Sequence, residues 1–125
     1  MIIGIGIDIV NVERIASSIE RFGDHFLRRV YTPGERRYCN GKPSPAESYA
    51  ARFAVKEAAF KALGRGWDEC GGFTAVEVVS DSNNRPRVVF HRRAKEISGR
   101  LTVSSEFVSI SHDSGMAAAV VVLEN

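Results

Sequence analysis

The sequence lacks any run of about 20 apolar residues, the length a membrane-spanning helix needs, so no span is expected in its 125 residues. The apolar opening MIIGIGIDIV carries Asp8 and has neither a basic leader nor a small-residue cleavage pattern, which argues against a signal peptide. Only two cysteines occur, Cys39 and Cys70, far apart and without a C-x-x-C pair. That excludes a disulfide framework and a cysteine metal site, and points to reduced thiols in a cytoplasmic protein. Net charge is small, at +2, too little to imply nucleic-acid binding. The phosphate loop G-x-x-x-x-G-K-[ST], a serine-nucleophile elbow and H-E-x-x-H are all missing. GIGID is not a dinucleotide fingerprint, because its third glycine is absent and no βαβ unit follows. Repeats, low-complexity tracts and linkers are absent too, so residues 1–125 read as a single domain.

What is present is an ordinary globular composition, 44% hydrophobic and 26% charged. Residues 2–10 alternate strictly, with Ile3, Ile5, Ile7 and Ile9 on one face and Gly4, Gly6, Asp8 and Val10 on the other; this predicts a strand. Two glycines on one face imply a closely packed neighbour there. Residues 12–29 are helical, capped by Asn11 and divided near Gly23-Asp24, with apolar positions Val12, Ile15, Ile19, Phe22 and Phe26. Thr32, Pro33 and Glu35 open a short helix ending near Cys39. A glycine-rich loop covers 64–72. Strands are expected at 73–79, 87–91, 102–112 and 116–123, with a basic helix at about 92–100 and a turn at Asp113-Ser114-Gly115. Strand, helices, then strands describe an α+β domain, an antiparallel sheet packed on a long central helix.

That central helix spans 45–63. Ser44 as cap, Pro45 at the first position and Glu47 three residues after the cap mark its start, and Gly64 its end. Glu57 and Lys61 stack one turn apart on one edge, and Arg52 and Lys56 on another. Ala54, Ala58 and Ala62 form a small-residue stripe, the natural neighbour for Gly4 and Gly6. Such packing turns Asp8 toward Glu57. Two carboxylates are hard oxygen ligands that suit Mg²⁺ when water and phosphate complete its shell. Lys61 would neutralise phosphate charge, and His112, at the end of VSISHD, would contact phosphate or ribose. The arginine pairs 28–29, 36–37 and 92–93 suit an acidic protein partner or a phosphorylated substrate.

Gly4-Ile5-Gly6-Ile7-Asp8, Phe53 through Gly64 (FAVKEAAFKALG) and Val108-Ser109-Ile110-Ser111-His112 together resemble the 4′-phosphopantetheinyl transferase superfamily, and more closely its short bacterial branch, the holo-[acyl-carrier-protein] synthases. The order and separation of the three motifs match. Asn83-Asn84-Arg85-Pro86 departs from the family's usual glycine before the basic residue and proline. The resemblance implies Mg²⁺-dependent transfer of 4′-phosphopantetheine from coenzyme A to a serine of an acyl carrier protein. It implies that Asp8 and Glu57 ligate the metal and that Lys61 handles phosphate charge or the serine proton. Arg52, Lys61, Gly64 and His112 would meet coenzyme A. Carrier proteins of this kind are acidic, so Arg14 and Arg21, with Arg28 less directly, would dock one; Asp113 is a lesser ligand-orienting candidate. It also implies a homotrimer with active sites between subunits. Two rivals use the same residues differently: a non-enzymatic oligomeric module binding acidic proteins, and a small Mg²⁺-dependent nucleotide phosphohydrolase.

Overall fold

The alternating N-terminal stretch forms β1 (Ile2–Asn11) of a computed structural model that describes residues 1–125. Helices α1 (Val12–Phe22), α2 (Asp24–Val30), α3 (Pro33–Asn40) and α4 (Pro45–Leu63) follow. A 3-10 turn (Phe73–Ala75), β2 (Val76–Ser80), β3 (Pro86–Phe90), α5 (Arg92–Arg100), β4 (Ser105–Asp113) and β5 (Met116–Glu124) complete the chain. The strands make two antiparallel sheets, β1-β5-β4 and β2-β3. The expected strand at 73–79 thus starts three residues late, its first residues being wound into the 3-10 turn.

Local chemistry explains most boundaries. The Asn11 side chain accepts from Glu13 N at the start of α1. Gly23, at φ +55°, separates α1 from α2. Thr32 and Glu35 form a full capping box on α3. Ser44 differs from expectation: its side chain makes no capping bond, and the start of α4 rests on Pro45. At the other end Gly64 adopts the left-handed conformation, and Arg65 N reaches back to Phe60 O. Ser114 and Gly115, both at positive φ, join β4 to β5 in a two-residue turn.

Helix α4 is buried around most of its circumference, as befits a helix lying between layers. One side rests on β1 and β5, and α1, α3 and β2 cover others. Its alanine stripe meets the two glycines of β1 as the sequence suggests. A Cβ on Gly4 would lie 2.0 Å from Ala62 O, and one on Gly6 would lie 1.8 Å from Ala58 O. No side chain fits there, so strand and helix backbones touch directly. Phe22 departs from the expected apolar face of α1 and is largely exposed. No helix is long and apolar enough to cross a membrane, and both cysteines are buried and free.

Lys56, which the sequence places on the same edge of α4 as Arg52, is fully buried. Its ammonium pairs with Glu35 Oε1 at 2.7 Å and donates to Val76 O at 2.6 Å and Phe73 O at 3.1 Å. Three donors thereby meet three acceptors. Glu35 in turn accepts from Thr32 N and Val78 N, so the pair ties α3, α4 and the start of β2 together.

Candidate functional site

The residues singled out in the sequence gather into two groups. The first lies where β1, α1 and α4 meet. Asp8 and Glu57 line one cavity of about 350 Å³, together with Arg14 and Ser18 and an apolar floor that includes Phe26 and Phe53. Asp8 reaches it because Gly6, two residues earlier on the same strand face, lets β1 sit against Ala58. Lys61, one turn after Glu57, donates to Ile7 O at 2.9 Å and to Asp8 Oδ1 at 3.2 Å. The lysine side chain is about half exposed (54%), so its attraction to Asp8 contributes little stability.

Glu57 is half-buried and takes part in none of the chain's ion pairs. Burial, and then the neighbouring Asp8 charge, push its carboxyl above the usual range; Lys61 opposes them with a smaller effect. A half-buried carboxylate that faces a second carboxylate and lacks its own cation is a donor set wanting positive charge. No three His, Cys, Asp or Glu residues converge to form a protein-only metal cage. Two carboxylates fit Mg²⁺, which commonly keeps water and phosphate in its remaining positions.

The second group lies toward β4. Arg52 and His112 line a larger cavity of about 570 Å³ with Tyr38, Lys42 and Glu47. Asp8 and Ile110 both pair with Ala119, and His112 with Ala117. Strand β5 therefore stands between Asp8 and the His112 strand, a separation of two strand spacings, about 10 Å. One chain brings Asp8, Glu57, Lys61 and Arg14 together, and Arg52 with His112, but does not join the two groups. Gly64 sits at the cap of α4 beside neither cavity's lining. Arg21 lies exposed on α1, its guanidinium 5.2 Å from the Phe22 ring centre. Arg28 and Asp113 are likewise exposed.

Sequence reasoning missed Tyr38 and Lys42: Lys42 lies beyond the end of α3, so no helical spacing signals that they face each other. The loop after α4 is also more structured than its glycines suggest. Gly72 N donates to Trp67 O, and the Trp67 ring stacks on Phe73, which stacks in turn on Phe53.

The fold and its two groups define a small α+β protein that offers carboxylates for a cation on one side of a helix and an unpaired arginine on the other. Comparisons with known proteins narrow this class. A family model described as the 4′-phosphopantetheinyl transferase superfamily matches residues 4–121. A holo-[acyl-carrier-protein] synthase of Koribacter versatilis is 50% identical over 127 residues, covering 100% of both chains. Among solved structures, the holo-[acyl-carrier-protein] synthase of Neisseria meningitidis is similar with a TM-score of 0.91, 31% identity and full coverage of both chains. That of Helicobacter pylori, solved in complex with coenzyme A, gives 0.84 at 38% identity, covering 96% of this chain and 99% of the other. The chain belongs to the 4′-phosphopantetheinyl transferase superfamily. Membership places it among enzymes and not among the binding modules considered as a rival.

Proposed function

We propose that the chain is a holo-[acyl-carrier-protein] synthase with coenzyme A as its donor substrate and an apo-acyl carrier protein as its acceptor. The observation that carries this reading is Glu57, half-buried and unpaired beside Asp8 and Lys61, within the superfamily's motif. In the reaction, the carrier's serine Oγ attacks the phosphorus that bears pantetheine. The bond from that phosphorus to the bridging oxygen breaks, the serine proton passes to solvent, and adenosine 3′,5′-bisphosphate leaves. Asp8 and Glu57 would hold Mg²⁺, which when bound supplies positive charge for the pyrophosphate and the leaving group. Lys61, 3.2 Å from Asp8 Oδ1, would add charge at the same phosphates or assist the departure of the serine proton. Arg52 and His112 would hold a further phosphate, and Gly64 and the turns after it would border the nucleotide. Arg14, at the mouth of the carboxylate cavity, and Arg21, one face-repeat along α1, present positive charge to an acidic carrier. Two free, buried cysteines suit the reducing cytoplasm.

The separation of the two groups within a chain supports a site completed by a neighbouring copy. A surface for that copy exists. Ile5, Ile7 and Ile9 are each 64% exposed, and Phe107 is 55% exposed. With Val120 and Val122 they lie on the sheet face turned away from α4. A continuous apolar face of this kind marks an interaction surface, and a homotrimer is the assembly proposed. Sedimentation or light scattering should return about three chain masses, and Ile7→Lys should return one. A monomeric parent protein would sink the assembly.

The reaction is tested by incubating the protein with coenzyme A, Mg²⁺ and an apo-acyl carrier protein and weighing the carrier. A gain of one phosphopantetheine, lost on chelation, is expected. Absence of any gain across several bacterial carriers would overturn the reading. Nucleotide cleavage without a carrier would favour the phosphohydrolase instead.

A further inference from the structure

Arg52 is an unusual cation. Only 6% of the residue is exposed, yet it takes part in none of the chain's ion pairs, and its Nε is buried without a hydrogen-bond partner. Buried guanidinium groups are normally paired, because a desolvated charge without an anion is costly. Glu47, which lines the same cavity, does not supply that anion; it is exposed and unpaired with Arg52. What Arg52 does have is an aromatic face. Its Cζ lies 3.7 Å from the ring centre of Tyr38, within the range of a strong cation–π contact. The Lys42 ammonium lies 4.5 Å from the same ring centre. Tyr38 thus gathers two cations at the cavity that also holds His112. Stacking on a ring face leaves the edge nitrogens of a guanidinium free to donate to an anion.

We propose that Tyr38 is a positioning residue: its ring holds Arg52, with Lys42 beside it, so that this cavity selects a ligand by its phosphomonoester. The inference rests on the reading that coenzyme A is the donor, and names which of its phosphates this cavity takes. Coenzyme A carries a pyrophosphate and a 3′-phosphomonoester. The pyrophosphate must reach the carboxylates that hold the metal, so the 3′-phosphate is the group left for the separate cavity. Tyr38 acts before chemistry, on binding. It makes no contact with the transferred phosphorus, so its loss should raise KM and leave kcat in place.

The test compares the parent protein with Tyr38→Leu and Tyr38→Phe, each confirmed as folded by circular dichroism. Tyr38→Leu should raise the KM for coenzyme A about tenfold, as expected for loss of a desolvated cation–π contact. Its kcat should stay within about twofold, and KM for 3′-dephospho-coenzyme A should not move. Tyr38→Phe keeps the ring face and should restore the parent KM. Equal effects on both donors, a fall in kcat alone, or failure of the phenylalanine to restore binding would each overturn the proposal. Calorimetry with adenosine 3′,5′-bisphosphate and adenosine 5′-monophosphate separates this inference from the transferase reading. If no carrier is modified, a selective loss of bisphosphate affinity in Tyr38→Leu still supports the positioning role; equal loss for both nucleotides overturns it.

Discussion

Glu57→Gln should reduce phosphopantetheine transfer by about 10³-fold or more, the rate equivalent of losing several kcal/mol of metal-derived charge stabilisation. The same variant should raise the melting temperature of the metal-free protein at neutral pH. Burial and the Asp8 charge raise the Glu57 carboxyl above its ordinary range, so the folded state binds its proton more tightly than the unfolded chain does. The favourable contribution of this residue is therefore complete below the ordinary carboxylate range and disappears as pH rises through the raised folded value. Glutamine has no ionisation to lose. The stability advantage of the variant should accordingly be absent in acid and grow with pH to a plateau. Differential scanning calorimetry across pH, with chelator, measures it. Unchanged turnover would remove Glu57 from the site. A variant less stable than the parent at pH 8 would show that its ionisation does not oppose folding.

Lys56→Met should be the most damaging substitution for stability, costing about 3–5 kcal/mol by leaving Glu35 as an unpaired charge in the core. Burial pulls the Lys56 ammonium below its usual range, although the attraction and hydrogen bond of Glu35 work against that pull. Taking both charges out of water opposes the attraction between them, so the pair is not a large net source of stability. It is nevertheless essential once one member is present. Removing the orphaned charge as well should repair part of the damage: Glu35→Gln combined with Lys56→Met should be more stable than Lys56→Met alone. Full recovery is not expected, because Phe73 O and Val76 O would lose their donor. The introduced glutamine also has a single side-chain oxygen, where the two carboxylate oxygens of Glu35 separately accept from Thr32 N and Val78 N. Urea denaturation of the parent and both variants reads these differences. A cost below about 1 kcal/mol for Lys56→Met would show that the buried pair is dispensable.

Much of this arrangement is legible in the sequence wherever the signal is local or periodic. Alternation marks β1, Asn11 and Thr32 mark helix starts, and Gly64 marks a stop. The coincidence of Gly4 and Gly6 with an alanine stripe even links two distant segments, because only small residues tolerate that approach. The limits are equally physical. Glu35 is visible as a capping carboxylate, but nothing local shows that its oxygens also serve Lys56 and Val78, which depend on how α3 folds over α4. The late start of β2 is set by the burial of Phe73 among Phe53, Phe60 and Trp67, a tertiary preference that overrides strand propensity. The three motifs can be placed side by side on paper. Strand order decides otherwise, since β5, last in the chain, inserts between the two strands that carry Asp8 and His112.

The direct contact of Gly4 and Gly6 with Ala62 O and Ala58 O sets the tolerance of the carboxylate site. Where side chains fill an interface, its width drifts as rotamers and core residues change. Here peptide groups abut, and the gap between the strand bearing Asp8 and the helix bearing Glu57 is a main-chain dimension. Core variation elsewhere in the domain leaves that gauge unchanged, whereas a single methyl at Gly6 would force it open and move one carboxylate away from the other.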